Sequence, residues 1–520
     1  MDDLVLHSLG FSLLLLLGLY GTGRIAYSIW WKPKSLERKL KKQGIKGTPY
    51  KLLVGDMKNC IRMITEAWSK PINLTHQIVQ RVDPFTLNIV QKYGKISMFW
   101  NGKTPRLIIS DPELMKEVLY NKQGHIQKPP VSPLILILAR GLTLLDGEKW
   151  ALHRRLINPA FHLEKLKGMI PVFAISCKEM IEQWKKMVNH QEACEVDVWP
   201  ELQKTAKDII SRAAFGSNYE EGKKIFQLQQ ELVVLTVEAM RTLYIPGFRF
   251  VPTKKNQRRN KLNIEITSML RDVVERKQNE MRTGQSRVDD LLSLLLHSSE
   301  QNSSENASST KSNGLTIEEI VEECKVFYLA GQETTSALLT WTMIVLAMHP
   351  DWQEKAREEV LQICGKKEPD FEALTHLKIV TMILNEILRL YPPVIALYQQ
   401  THKETKIGDI TIPAGVDLTL PTLLIHHDPE FWGDDAEEFR PDRFSEGVSK
   451  ASKDHFAFFP FSWGPRTCIG QNFAMLEAKM VLAMILQHFS LELSPSYIHA
   501  PCTVMTMQPQ HGAQVFIRQL

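Results

Sequence analysis

Ten residues near the C-terminus, Phe461-Ser462-Trp463-Gly464-Pro465-Arg466-Thr467-Cys468-Ile469-Gly470, constrain this chain more than any other stretch. They set one cysteine between two glycines, directly before a segment at 471–488 that reads as the last helix. Gly464 permits a tight loop and Gly470 a close backbone approach. A thiol at the mouth of a helix meets unpaired N–H groups and the positive end of the helix dipole, both of which favour the thiolate. The other cysteines, Cys60, Cys177, Cys194, Cys324, Cys364 and Cys502, are dispersed, with no C-x-x-C pair and no Cys/His cluster. An odd, scattered set argues against a disulfide framework and against structural zinc, and for a reducing compartment. Cysteine chemistry must then come from a single thiol in a special setting.

The N-terminus is the second constraint. Leu4 to Trp31 is largely apolar, with Phe11-Ser12-Leu13-Leu14-Leu15-Leu16-Leu17 at its centre. About 20 apolar residues span a bilayer. Arg24 is placed to snorkel, and Trp30 and Trp31 sit where an aromatic belt lies. Asp2 and Asp3 replace the positive start of a cleaved signal peptide, and no clean cleavage site follows. Lys32, Lys34, Arg38, Lys39, Lys41 and Lys42 crowd the far flank, which puts the remainder on the cytosolic side. The expected organisation is an anchor over 1–31, a basic and Pro/Gly linker over 32–50, and a folded body over 51–520. The lipid bilayer is then a partner, and the sequons at Asn73, Asn302 and Asn306 stay unglycosylated. A formal charge of +5 on 520 residues is too small to argue for nucleic acid.

Along the body, Ile96–Trp100 and Leu107–Ile109 read as a hairpin around Asn101-Gly102. From 145 to 290 the pattern is chiefly helical, with breaks at Pro246 and Pro252. Residues 298–313 are polar and low in complexity, and read as a mobile surface loop. Thr316 and Glu319, in capping-box spacing, open a long helix that runs to about Met348 and stops before Pro350. A further helix covers roughly 375–390 and ends at Pro392-Pro393. Turns and short strands fill 400–440, and strands follow the last helix. The fold class is mainly α with a smaller β-rich portion.

The cysteine stretch matches F-x-x-G-x-R-x-C-x-G at every fixed position, and so resembles the haem-binding signature of the cytochrome P-450 family. That resemblance implies the family fold behind an N-terminal transmembrane helix. It implies haem b with Cys468 as iron ligand, a strong electron donor that favours O–O cleavage. Phe461 is expected beside the sulfur and Arg466 at a propionate. Other segments agree. Trp150 and Arg154 match the family's W-x-x-x-R helix and are expected at the propionates. Glu386 and Arg389, on one face of their helix, match E-x-x-R, and Pro441-Asp442-Arg443-Phe444 supplies the third member of that structural set. Ala330-Gly331-Gln332-Glu333-Thr334 matches A-G-x-E-T, which implies a helix crossing the oxygen-binding face, with Thr334 and Glu333 handling protons. A glycine beside two threonines in mid-helix is locally unfavourable, which already invites a functional explanation. One departure stands out: after Tyr391-Pro392-Pro393 relatives often carry an arginine toward the propionates, whereas this chain reads Tyr398-Gln399-Gln400.

Finer features are similar to the plant branch called clan seventy-two, in Gln43-Gly44-Ile45-Lys46-Gly47-Thr48-Pro49-Tyr50, Asn158-Pro159-Ala160-Phe161-His162 and Gln508-Pro509-Gln510-His511-Gly512. The resemblance implies O2-dependent hydroxylation of a small lipophilic plant metabolite, a triterpenoid or iridoid, at the endoplasmic reticulum membrane. Electrons would come from NADPH through a separate flavoprotein reductase, since the chain has no flavin or nicotinamide motif. Substrate is expected between the 315–348 helix and less regular regions at 125–145, 225–250 and 500–512, with Leu134, Leu235, Val394, Ile395 and Val504 as apolar walls. A gibberellin or other hormone oxidase, a haem-thiolate isomerase or dehydratase, and a membrane-tethered haem sensor are the alternatives. Glu333-Thr334 counts against the isomerase, because family members that only rearrange peroxides often lack that pair.

Overall fold

The leucine-rich N-terminus winds into a helix, α1 (Asp2–Ala26), about 37 Å long and so more than a bilayer core in length. The computed structural model describes residues 2–138, 140–188, 192–217, 219–240, 251–284, 290–304 and 314–520. Phe11 and Leu13 to Leu17 are 51–69% exposed on α1, an apolar surface that the described residues leave uncovered. One π-helical turn, Tyr27–Trp31, joins α1 to α2 (Lys32–Lys41). After these come α3 (Met57–Trp68), α4 (Pro84–Tyr93), α5 (Pro112–Tyr120), α6 (Gly147–Ile157), α7 (Leu163–Val188), α8 (Val198–Phe215), α9 (Tyr219–Met240), α10 (Lys254–Arg282) and α11 (Leu291–Ser304). The longest helix is α12 (Ile317–Met348), followed by α13 (Pro350–Cys364), α14 (Lys378–Leu390) and α15 (Gln471–His488).

The chain divides into two compact units. The first comprises Met1–Glu66, Asp83–Pro129 and Tyr398–Pro421; the second comprises Ala67–Val82, Pro130–Leu397 and Thr422–Leu520. In the first, β1 (Lys46–Gly47), β2 (Ile96–Asn101), β3 (Thr104–Ile109), β4 (Ile126–Gln127), β6 (Leu397–Thr401) and β9 (Asp417–Leu420) form a six-stranded sheet in the order β1-β2-β3-β9-β6-β4, and β7 (Thr405–Ile407) pairs with β8 (Ile410–Ile412). The hairpin pairs Asn101 with Thr104, so its turn is Gly102-Lys103, one residue beyond the sequence expectation. Phe85 and Ile89 of α4 bury against Ile108 to make this unit's core. Gln399 and Gln400 lie on β6, where Gln400 donates to Asp417 at 2.7 Å. The basic segment after the anchor is helical over Lys32–Lys41. In α2, Pro33, Leu36 and Leu40 are buried, while Lys34 and Lys41 flank Glu37 at 2.9 and 2.8 Å. Tyr50 donates to the Ile29 carbonyl at 2.6 Å, and Gln43 exchanges two hydrogen bonds with the Thr411 backbone. Charge counts had hidden a half-buried amphipathic helix.

The second unit holds α6 to α15, a three-stranded sheet of β10 (Phe489–Leu493), β13 (Gln514–Gln519) and β5 (Cys194–Asp197), and a ribbon of β11 (Pro501–Thr503) with β12 (Met507–Pro509). The capping box of Thr316 and Glu319 opens α12 as expected, and the helix ends before Pro350. The polar tract at 298–313 is not a loop throughout. Residues 298–304 complete α11, because Ser299 is buried and its hydroxyl both donates to the Leu315 carbonyl (3.1 Å) and accepts from the Leu315 amide (2.7 Å). Residues 305–313, with Asn306, lie outside the described residues, as does Pro246. Pro252 stands where expected, two residues before α10, which Thr253 caps.

Glu386 and Arg389 of α14 are fully buried and joined by two hydrogen bonds of 2.7 and 2.8 Å. The same guanidinium donates to the carbonyls of His426, Ala436 and Glu438. Arg443 approaches Glu386 at 3.5 Å and pairs with Asp435 at 2.9 Å. A buried ion pair is tolerable only with its remaining donors and acceptors satisfied, and Arg389 meets that condition with five bonds.

A second buried polar group surrounds Tyr391. His76 shares hydrogen bonds with the Tyr391 hydroxyl (2.9 Å) and with His349 (3.2 Å), and His499 bonds Tyr497 (2.8 Å) and the Thr75 carbonyl (3.0 Å). Burial, reinforced at His76 by its histidine neighbours, pulls His76 down to about 3 and His499 to about 4 from an ordinary 6.5. The unfolded chain therefore binds protons that the fold refuses between those values. Stability is whole above about pH 6.5 and falls as the pH drops toward the folded values. Each group steepens the loss by about 1.4 kcal/mol per pH unit. Urea unfolding of His76→Gln is expected to weaken less than that of the parent between about pH 7 and about pH 5; equal slopes would show that His76 is not held neutral.

Candidate active site

The cysteine loop is built from tight turns. Ser462 and Gly464 take φ of +66° and +75°, and a 3-10 turn covers Gly464–Arg466. A side chain resists that backbone region, so glycine suits position 464. The Cys468 amide closes the loop on the Phe461 carbonyl at 2.9 Å. Helix α15 begins at Gln471 with Gly470 as its cap, two residues past the cysteine. Cys468 is accessible to open space, yet enough protein surrounds it to push its thiol upward by desolvation. The Gly470 N–H and the Arg154 guanidinium act against that shift. An N–H at the helix mouth and one guanidinium thus pull toward the thiolate against the desolvation, and a bound metal cation would pull the same way.

Helix α6 brings Trp150 and Arg154 to this loop. Arg154 donates to the Thr467 carbonyl at 2.8 Å, beside the sulfur. Arg466 lies over the Trp150 ring, 4.5 Å from its centre, and donates to the Leu145 carbonyl at 2.8 Å and to Asp146. Here Arg466 is paired with Asp146, a partner that the sequence reading did not name. Half-buried, the guanidinium needs an anion, and Asp146 just before α6 supplies it. Trp463 Nε1 is buried without an acceptor among the described residues. Two guanidiniums at the thiol loop, with an unpaired indole N–H in the same loop, suit a flat dianionic group carrying a metal, so the donor set fits haem. Phe161 was also missed as a site residue: its ring lies 6.4 Å from both Phe327 of α12 and Phe473 of α15, and a Cβ on Gly470 would meet it at 3.9 Å. Its signal was present in the Asn158–His162 stretch, but a lone phenylalanine there reads equally as core.

Helix α12 is buried along most of its length, but Ala330 is exposed and Thr334, one turn on, is partly so. The Thr334 hydroxyl donates to the Ala330 carbonyl at 2.8 Å. Glu333 accepts from Thr506 at 3.4 Å, and burial raises its pKa against the opposing pull of Gln332, Lys207 and Thr506. Gly331 between them is also partly exposed. A Cβ there would come 2.8 Å from Ile210 Cγ1 and Cδ1, so this glycine serves the crossing of α12 with α8.

Of the expected apolar wall, Leu134 is buried, Leu235, Ile395 and Val504 are partly buried, and Val394 is 37% exposed. The 225–250 region is not irregular up to 240, where α9 continues without a break; 241–250 lie outside the described residues.

A helical body with a cation-lined thiol loop before its last long helix, and a long helix whose burial lapses at Ala330 and Thr334, is the arrangement of a haem-thiolate oxygenase. The chain belongs to the cytochrome P450 family, whose profile matches residues 70–515. It is 56% identical over 494 residues to cytochrome P450 CYP72A616 of Paris polyphylla, covering 95% of each chain. It is 52% identical to cytochrome P450 72A15 of Arabidopsis thaliana (95% of each) and 49% identical to secologanin synthase 1 of Catharanthus roseus (94% of each). The chain is thus a plant-type P450 monooxygenase, which uses a thiolate-ligated haem iron, O2 and externally supplied electrons.

Gly331→Ala is expected to cost about 1–3 kcal/mol by overpacking the α8–α12 crossing. Ile210→Ala in the same chain should recover part of that loss. Thermal unfolding of the single and double variants measures it, and strictly additive losses would remove Gly331 from the crossing.

Proposed function

We propose that this protein hydroxylates a lipophilic plant terpenoid, of triterpenoid or iridoid type, with O2 and with electrons from NADPH passed on by a separate flavoprotein reductase. The observation that carries the reading is the convergence of Arg154, Trp150 and Arg466 on the Cys468 loop. Cys468 would ligate the haem iron, with Arg154, Arg466 and the Trp150 and Trp463 N–H groups toward the propionates. Phe461 and Gly470 border the sulfur. When bound, the haem supplies the oxygen-activating chemistry, and its thiolate ligand favours O–O cleavage.

The chain's own residues then manage protons and position. The Thr334 hydroxyl, held to the Ala330 carbonyl, is available to donate once it swings from that carbonyl. Glu333, whose carboxyl desolvation favours in the protonated form, can pass a proton on. Their presence favours oxygen activation over peroxide rearrangement. Leu134, Leu235, Val394, Ile395 and Val504 would exclude water and hold an apolar substrate. The terpenoid class is supported by the resemblance to clan seventy-two and by kinship with secologanin synthase 1. The exposed leucines of α1 and the basic flank of α2 support a single-pass anchor over 1–31 in the endoplasmic reticulum membrane, with the body cytosolic.

Microsomes carrying the protein and a reductase, given a terpenoid panel with 18O2, are expected to yield a product one labelled oxygen heavier, dependent on NADPH. Unlabelled or NADPH-independent products would sink the proposal. Cys468→Ser should abolish the red-shifted absorption band of the reduced carbonyl complex; a retained band would move the ligand elsewhere. Thr334→Ala should keep haem while product per NADPH drops about tenfold or more, and unchanged coupling would clear Thr334 of its role.

A further inference from the structure

Glu333 stands between two polar surroundings. On one side is the turn Val504–Thr506 that links β11 to β12. The Val504 amide closes this turn on the Thr506 carbonyl (3.3 Å), and its base is pinned where the Met507 amide bonds the Pro393 carbonyl and Trp341 Nε1 bonds the Met507 carbonyl, both at 3.0 Å. Met505 at the tip is 39% exposed, whereas Thr506 is 4% exposed and turns its hydroxyl to Glu333 Oε2 at 3.4 Å. On the other side is a small recess lined by Lys207 of α8, Gln229 and Gln230 of α9, and Gln332 and Glu333 of α12. It leaves about 10 Å³ for the centre of a water, enough for roughly one molecule. Gln332 Oε1, buried and without a partner among the described residues, is a ready acceptor for that water.

We propose that Thr506 is a positioning residue for Glu333, its hydroxyl holding the carboxyl toward the β11–β12 turn and so tying the acid to whatever presses on the turn's apolar tip. The inference rests on the reading of Glu333 as a proton donor and adds what sets its orientation. Three features support it. The Thr506 hydroxyl has no solvent to bond instead. The turn's base is fixed by backbone bonds while its tip carries Val504 and Met505, so a bulky apolar substrate there moves the segment that bears Thr506. Released from Thr506, the carboxyl still has Lys207 and the one-water recess to receive it, so both orientations are satisfied. Burial raises the Glu333 carboxyl, while a hydrogen bond from the Gln332 side chain, the Lys207 charge and Thr506 oppose the rise.

The test uses full-length haem-loaded protein. Infrared difference spectra, with Glu333→Gln assigning the band, follow the titration of the Glu333 carboxyl without turnover. Thr506→Val removes a donor to the carboxylate, so the half-titration point should rise by about one pH unit. Thr506→Ser should restore it, and Thr506→Ala serves if the valine variant misfolds. With reductase and NADPH, the hydroxyl-deleted variant should release several-fold more hydrogen peroxide than the parent, and should add nothing in the Glu333→Gln background. An unchanged titration in Thr506→Val or Thr506→Ala overturns the positioning role alone. A Glu333→Gln variant that leaks no more peroxide than the parent overturns the proton-donor reading beneath it.

Discussion

Arg389 is the pivot of the second unit. Its side chain is fully buried, and its five hydrogen bonds reach one carboxylate and three backbone carbonyls that span 426–438. A charge so placed leaves the segment between α14 and the cysteine loop little freedom, since any displacement strands a donor in a dry interior. Arg443 and the Arg440 amide add a second and third grip on Glu386. Such a network contributes little net stability against an apolar alternative. It specifies one arrangement of irregular chain, and 427–470 holds mostly turns and 3-10 segments.

The same logic runs through the site. Desolvation of the loop pushes the Cys468 thiol up, and the Gly470 N–H and the Arg154 guanidinium pull against it. The loop gathers cationic and N–H groups, Arg154 on the Thr467 carbonyl and Arg466 on Asp146 and Trp150. Such a surface is matched to an anionic ring with a metal at its centre. Helix α12 loses its burial at Ala330 and Thr334, where the Thr334 hydroxyl is held by the Ala330 carbonyl, and Gly331 lets α8 approach.

Much of this was legible beforehand. Cys468, Arg466 and Gly464 stand at fixed spacings within one loop, where separation along the chain limits separation in space. The helix bounds at 317–348 and 471–488 follow from a capping box, a proline and an apolar period. What escaped notice depended on distant neighbours. Ser299 turned a polar tract into the end of α11 through one bond pair to Leu315, and Gln43 and Tyr50 turned a basic linker into docked structure. Asp146 has no sequence mark that separates it from any surface aspartate.

By itself, the amino-acid sequence determined the chemistry available: one thiol in a glycine-bounded loop, an acid beside two threonines in a helix, and an apolar run too long and too bare for a soluble surface. These are local properties, set by residue type and short spacing. Tertiary structure decided which of them act together and which do not. It turned Gly331 toward Ile210, Arg466 toward Asp146 and Thr506 toward Glu333. Such pairings join residues more than a hundred positions apart, and packing and desolvation select them only once the chain has closed.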